Sequence, residues 1–495
     1  MESSDAEKQR ECLEKFQDGK YEQPDTEEGA HRVSDVVSSP TQFTVLYWST
    51  YAGAALLSPY LALFLDSRSR NKVEIGFLLM IPRVFSTLVA PVWAVFSDRY
   101  HLAREIVIIN NVLTTVHTVL LLLIEPDTSL FLVVLLFGMR ALWNSPCGSL
   151  FDGIAAKRLD DAGWGVARGH GALSFAVFSF LGGLLLDLDS SDGYSLLFTG
   201  FVFIQVFNVS LLFKYLPSQK KVPNPDGGSS MFSNLGKIQL MFLENRDCCK
   251  NFATVVLLSG VGFGVIESFL FLFLATELGA SGLLLGLARL VMTLVEVPVF
   301  WYIESVLDKI TQLLRLQTSD TKKKQIAVWI MLLMTQAAFF VRFVWYSVLT
   351  NAWWVFPAEM LHGLTFGVMW KLSVRYAKDL AKTHVPQAEG TMQTLLSGLH
   401  FGVAAAAGSV IGGLVFSYFG LRVMFKCCAL LALLSVCLAS KTCASLYRDA
   451  QSEGAEQDAT ALSFSSHALI HELDAAVTSP VHPQRPPETP SDGTH

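Results

Sequence analysis

Charge is what this sequence has least of. Asp, Glu, Lys and Arg together make up 16% of the 495 residues, against roughly a quarter in soluble domains, too few to clothe a water-facing surface. The net charge of −6 is modest, and the acidic surplus sits largely in the two polar ends, so no basic face is offered to nucleic acid. Eight cysteines, Cys12, Cys147, Cys248, Cys249, Cys427, Cys428, Cys437 and Cys443, form no C-x-x-C pair with a histidine set. None falls in a link read as external, so neither a disulfide framework nor a zinc or other metal site is expected. Adjacent Cys248 and Cys249, beside a membrane boundary, could carry palmitate, with packing the favoured reading. Also missing are a G-x-x-x-x-G-K-S/T loop and a nucleophile constellation; no enzyme and no cofactor is expected. The charged N-terminus lacks an apolar h-region, so no cleaved leader is expected before the first span.

Hydrophobic residues, 52% of the chain, are gathered in runs near the ~20 residues needed to cross a hydrocarbon core of about 30 Å. Twelve can be counted: 42–65, 74–97, 103–124, 128–152, 165–186, 195–214, 252–276, 282–303, 326–347, 353–377, 389–417 and 421–445. The expected fold is therefore an all-α membrane protein. A disordered N-terminal tail (1–40) precedes a six-helix bundle (41–214), a polar linker (215–250), a second six-helix bundle (251–445) and a disordered, Pro-containing tail (446–495). Lys and Arg crowd alternate links, Lys220, Lys221, Lys322, Lys323 and Lys324 among them, while the other links hold only Arg68, Arg70, Lys72 and Arg422. The positive-inside rule then puts both termini in the cytosol; which membrane is left open. The N-x-S match at Asn208 lies within the sixth span and should carry no glycan.

Several charges fall inside the spans: Arg83, Arg140, Glu267, Arg289, Glu296, Arg342, Glu359 and His362. A charge at mid-bilayer costs about 3 kcal/mol on insertion scales and so normally faces a partner or a water-filled cavity. Glu359 and His362, three apart, share a helix face. By residue count Arg342 lies at the depth of Glu359, and Glu296 one heptad below Arg289, which suggests a two-row polar lining in the second half. Glu359 with His362 could instead be a structural pair, as could Arg83 or Arg140 with backbone carbonyls. A histidine beside carboxylates is nonetheless the chemistry proton coupling needs. Glycines in SGVGFGV (Gly260, Gly262, Gly264) and at Gly398, Gly402, Gly408, Gly412 and Gly413 let helices pack closely.

The link WAVFSDRYHLARE (Trp93–Glu105) resembles the D-R-x-G-R/K signature of the major facilitator superfamily: Asp98, Arg99 and Arg104 match, while Ala94 and His101 stand where the signature has glycine. The resemblance implies a cytosolic latch there. Closer is the likeness to the lactose-permease-like branch, including eukaryotic major facilitator domain-containing proteins. It rests on GLARLVMTLVEVPVF (Gly286–Phe300), AEMLHGLTFGVMW (Ala358–Trp370), QTLLSGLHFG (Gln393–Gly402), GSVIGG (Gly408–Gly413) and the segment from Asp152 through GWGVARGHGALSF, and spans nearly all of 42–445. It implies that Arg342, Glu359 and His362 occupy the proton-relay region, that Glu296 and Glu267 are acidic sites of the eighth and seventh helices, and that Asp152 and Arg168 form a solute-binding pair. One departure stands out: the branch's relay carboxylate, three residues after the histidine, is Thr365 here, which moves the proton role to Glu359 or Glu296.

The expected function is alternating-access transport, by proton-coupled symport of a small polar solute such as a sugar or nucleoside. Proton coupling would fall to Glu359, His362, Glu296 and Arg342. Solute contacts would come from Arg83, Arg140, Asp152, Arg168, Glu267, Arg289 and Trp370. The partners are the solute, protons and lipid, without nucleic acid, and the chain is expected to be a monomer. The alternative is a receptor or scaffold that keeps the fold without moving solute.

Overall fold

In the computed structural model, residues 40–188, 194–217, 246–384 and 389–478 are described. All regular structure among them is helical, in twelve passages that match the twelve apolar runs. Ten are long and apolar enough to cross a membrane. The other two, 40–67 and 352–384, are broken into shorter pieces. The first span runs as Pro40–Leu57, a 3₁₀ turn at Ser58–Tyr60 with Pro59 inside it, and Leu61–Ser67. Proline cannot donate to the helix ladder, so the ladder tightens there. The fourth span divides before Cys147, at Pro146, for the same reason. Large apolar side chains such as Phe131, Phe203 and Tyr418 stand exposed on the outside of the bundle, as a lipid-facing surface requires.

Several helices outlast the hydrocarbon thickness. The seventh is Arg246–Thr276, so the linker's last residues, 246–250, are already helical. The twelfth, Leu421–Thr478, continues well past 445, which corrects the expectation of a disordered tail from 446: helix persists to Thr478. Two causes can be named. Residues 446–478 contain no proline and several alanines, the best helix formers. The first turns past the membrane also pack on the link between the eighth and ninth spans. Ala450 is buried with Leu316 and Ile326, Glu453 pairs with Lys322 and accepts from the Thr318 hydroxyl at 3.3 Å, and a side chain at Gly454 would meet the Gln317 carbonyl at 2.8 Å. The expectations for 1–39, most of the linker (218–245) and 479–495 lie outside the described residues.

The side of the bundle where the first span begins and the twelfth leaves is called here the terminal face, its opposite the far face. On the far side one apolar core runs through both halves, joining Tyr60, Phe64 and Phe198 to Phe269, Phe273 and Phe425. On the terminal side each half has its own main core, Phe43, Tyr47 and Phe151 in the first and Phe252, Trp329 and Tyr376 in the second, beside the small Leu316, Ile326 and Ala450 cluster. The joins between halves follow the same division. Backbone meets backbone at Gly183 and Gly282, where an added Cβ on Gly183 would come within 2.1 Å of the Gly282 carbonyl oxygen, and at Gly76, 2.3 Å by the same measure from the Ser409 oxygen. At mid-depth the contact is by side chain, Thr87 against Gly398 and Gly402. The halves therefore close at the far face and stand apart toward the terminal face.

Candidate functional site: a charged relay beside an open vestibule

The tenth span places the central charges. Its first pieces, Ala352–Trp354 and Val355–Met360, lead into a π-helical segment, Gly363–Val368. Gly363 sits so close to the Val295 carbonyl that a Cβ would approach it to 2.6 Å, which draws the tenth span against the eighth. A widened turn of this kind shifts the side chains after it, and such bulges recur at functional sites.

Arg342, 1% exposed, reaches across from the ninth span. Its Nη2 donates to Glu359 Oε2 at 2.6 Å and its Nε to the Tyr346 hydroxyl oxygen at 2.7 Å. The Tyr346 hydroxyl in turn donates to Glu359 Oε1. Nη1 donates to Thr365 Oγ1 and to His362 Nδ1, both at 3.0 Å. A guanidinium can only donate, so His362 Nδ1 must accept, which puts the ring proton on Nε2. That nitrogen lies 2.6 Å from Glu296 Oε1. The result is an unbroken chain from Tyr346 and Glu359 through Arg342 and His362 to Glu296. Its two ends differ. Glu359 is fully buried with both oxygens satisfied, whereas the Glu296 side chain keeps 16% of its surface exposed.

Arg289, one heptad from Glu296 on the same helix, pairs with Glu267 in a two-pronged contact of 2.7 and 2.8 Å, the planar geometry guanidinium and carboxylate favour. Its guanidinium also lies over the Phe175 ring of the first half, 5.3 Å from the centroid. Arg83 reaches into the second half, donating to Ser409 Oγ at 2.6 Å and Ser268 Oγ at 3.3 Å, and to its own helix at the Leu79 carbonyl. Asp152 and Arg168 do meet, at 3.5 Å. Tyr47 donates to Asp152 at 2.6 Å and accepts from the Trp164 indole at 3.1 Å, while Arg168 lies over the Trp164 ring. Arg140 stands apart from these pairs, with Nε donating to Thr118 Oγ1 at 2.9 Å.

These groups border a common space. Along the fourth span Arg140 and Asn144 in its first piece, and Gly148 and Asp152 in its second, stand at four-residue steps, each pair on one face of its piece. Asn144 and Gly148 are exposed, and a Cβ on Gly148 would meet no heavy atom within 4 Å. Arg168 and Gly169 stand exposed on the fifth span. Such a polar stripe at membrane depth needs water in front of it, and the separation of the halves toward the terminal face supplies the room. Opposite lies an aromatic wall that the sequence reading included only at Trp370. Phe263 stacks on Phe366 at 5.5 Å, Phe401 packs on Trp370 at 4.7 Å, and His362 stacks on Phe366 at 5.3 Å. His400, on a second π-helical segment, Gly398–Ala404, donates from Nδ1 to the Val256 carbonyl oxygen at 3.2 Å, and touches Phe263, Trp370 and Phe401. Tyr346 had a legible signal, four residues after Arg342 on the same face; Tyr47 and the aromatic wall had none, since Phe and Tyr abound in every span.

Arg99 and Arg104, with His101, lie where the second and third spans meet the end of the sixth. His101 ends the second span with φ 56° and ψ 39°, taking the left-handed conformation for which the family signature has glycine, so the tight turn forms without one. Arg104 donates to the Leu216 and Phe213 carbonyls at 2.7 Å each, capping the sixth span, and Arg99 lies over the Tyr100 ring. Asn208 is buried, accepting from Ser49 at 2.8 Å and Thr50 at 3.0 Å, where no glycan could fit. Cys249 is buried in the terminal-side core of the second half, in keeping with packing.

Among curated proteins, the chain is 26% identical over 177 residues to major facilitator superfamily domain-containing protein 6-like protein B of Xenopus laevis, covering 36% of this chain and 25% of the relative. It is 34% identical over 83 residues to the 6-like protein of Danio rerio, covering 17% and 15%. The matches thus span about a quarter or less of these relatives' length. Among solved structures, the nucleoside transporter NupG superposes with a TM-score of 0.64 at 14% identity over 82% of this chain and 98% of that one. A bacterial homologue of the human lysosomal transporter Spinster, in an inward-facing unoccupied conformation, gives 0.60 at 13% over 84% and 99%. These likenesses show the shared fold. Residues 41–427 match the MFS_1 like family, and the chain belongs to that family.

Proposed function

We propose that the protein is a proton-coupled symporter of a small polar, hydroxyl-bearing solute such as a sugar or nucleoside, with both termini cytosolic, so that the open vestibule faces the cytosol. The observation that carries this reading is the chain Glu359, Arg342, His362, Glu296, anchored at one end and open to the vestibule at the other. A proton arriving from the vestibule meets Glu296 first. While Arg342 donates to His362 Nδ1, the imidazole has no free lone pair there, so loading the histidine requires Arg342 to shift. Arg342 also holds Glu359, which ties protonation at the open end to the packing of the ninth and tenth spans. Solute would sit between the aromatic wall, whose rings suit a sugar or base face, and the polar stripe with Asp152 and Arg168, contacts that Arg83, Glu267 and Arg289 border at mid-depth. Asp98, Arg99 and Arg104 would serve the terminal-face latch.

The test is uptake of a labelled sugar and nucleoside panel into proteoliposomes with and without an imposed pH gradient. Accumulation driven by the gradient, lost in Glu296→Gln while downhill exchange persists, is the expected result. Uptake indifferent to pH and to neutralising both Glu296 and Glu359 would remove the proton role. No uptake of any member would favour a receptor or scaffold that keeps the fold.

A further inference from the structure

The charges bordering the vestibule do not balance. Arg289 is matched by Glu267, Arg342 by Glu359 and Arg168 by Asp152, and Glu296 accepts from the neutral His362 ring and keeps its charge, so the five guanidiniums, with Arg83 and Arg140, outnumber the four carboxylates by one. Arg83 has only hydroxyl and carbonyl acceptors in contact, and Arg140 only the Thr118 hydroxyl. Among the described residues no carboxylate forms an ion pair with either. A guanidinium stays protonated under all ordinary conditions, and holding one at membrane depth without a counter-charge is costly.

Arg140 does not face lipid. It follows Val133 and Phe137 by seven and three positions, on the buried side of its helix, and both of those residues are fully buried. Its acceptor Thr118 is itself fully buried. Four residues on, Asn144 begins the exposed polar stripe that leads down to Asp152. The guanidinium therefore stands above this stripe with its Nε held in place and, among the described residues, no acceptor for its two terminal nitrogens. Arg83 lies at a similar depth, eleven residues into a span that begins at Lys72, as Arg140 lies ten residues into one that begins at Leu130. The second and fourth spans pack against each other.

We infer that the solute is an organic anion, and that its carboxylate or phosphate is received by Arg140, with Arg83 adding positive potential from the second span. A planar guanidinium whose terminal donors have no acceptor among the described residues is suited to receive the two oxygens of a carboxylate or phosphate. The inference rests on the transport reading and narrows it: the hydroxyl-bearing solute carries a negative charge. A neutral sugar or nucleoside would leave Arg140 uncompensated in the occluded state, when water has been driven from the site.

Matched pairs on the purified full-length protein decide it: uridine against uridine monophosphate, glucose against glucuronate, and benzamide against benzoate, with apparent affinity read from the ligand-dependent rise in unfolding temperature. In at least one pair the anion should bind tenfold or more tightly than its neutral counterpart. Arg140→Gln should abolish that preference and Arg140→Lys largely keep it. Equal binding within the pairs, no binding by any member, or a preference unchanged in Arg140→Gln would each overturn the inference. If Arg140→Gln does not fold, the wild-type comparison decides the charge preference and Arg140→Lys against Arg83→Gln its location. Failure here with pH-driven uptake intact would leave the transport reading standing; anion binding without any uptake would do the reverse.

Discussion

Asp187, near the end of the fifth span, accepts the backbone N–H of Gly282 at 2.6 Å, and its second oxygen takes that of Leu283 at 2.8 Å. A carboxylate of one half thus caps the first turn of the eighth helix in the other half, where free N–H groups and the positive end of the helix dipole favour an anion. The contact closes the far face with charge-assisted bonds worth about 1.5–3 kcal/mol each. Asp187→Ala should shift the population toward a state open at that face by roughly a factor of ten or more. A cysteine placed at Ser86 should then be labelled faster from the far side; an unchanged rate would mean the cap is not part of closure.

Gly183 makes the complementary prediction. Its backbone lies against Gly282 so closely that any side chain meets carbonyl oxygen, and backbone cannot step aside as a flexible side chain could. Gly183→Val should hold the halves apart at the far face, where one apolar core joins them, and so lose closure and with it solute exchange. Normal exchange by this variant would show that the two spans do not need this contact.

Glu296→Gln and Glu359→Gln should fail differently. Removing the charge of Glu359 strands Arg342 in a fully buried site, a change that costs about 3–5 kcal/mol where buried pairs are broken. It should appear as a lowered unfolding temperature together with lost coupling. Glu296 borders the vestibule, so its Gln variant should unfold near the wild-type temperature and lose only the pH-driven component. Equal thermal behaviour of the two variants would argue against this division of roles.

His101 holds a left-handed conformation that costs an L-residue about 1–2 kcal/mol. His101→Gly should relieve that cost, offset in part by the greater freedom of an unfolded glycine, for a net gain of about 0.5–1 kcal/mol. Chemical unfolding in mild detergent would measure it; a loss of stability would reveal a contact of the imidazole worth more than the strain.

Asp152 and Arg168 offer a reciprocal test. Either single reversal places like charges together beside Tyr47, whereas the double change, Asp152→Arg with Arg168→Asp, restores attraction. Expression or uptake should recover in the double variant. No recovery would indicate that the Tyr47 and Trp164 hydrogen bonds, which the swap also disturbs, matter more than the ion pair.

Much of this architecture was written in the sequence, and the physical reasons are plain. A span must satisfy its backbone internally and be apolar for its whole length, so runs of hydrophobic residues mark helices far more clearly than in soluble proteins. Depth could be counted at 1.5 Å per residue, which is how Arg342 and Glu359 were matched. Azimuth could not. Whether Arg289 turns to Glu267 or Glu296 depends on helix rotation, and the π-helical turn at Gly363–Val368 resets that rotation in the tenth span. Polarity also misled at the twelfth span, where a drop in hydrophobicity marks the end of the membrane and not the end of the helix.

That last helix gives the second half a rigid pointer. From 445 to 478 it runs 33 residues further as one continuous helix, about 50 Å at 1.5 Å per residue, and its base is braced against the link between the eighth and ninth spans by Glu453 and Lys322. Tilting that half by about ten degrees would carry the helix tip through about 9 Å, a lever arm derived from the same 1.5 Å rise. A motion that is slight at the centre of the bundle would be large at the tip of this helix.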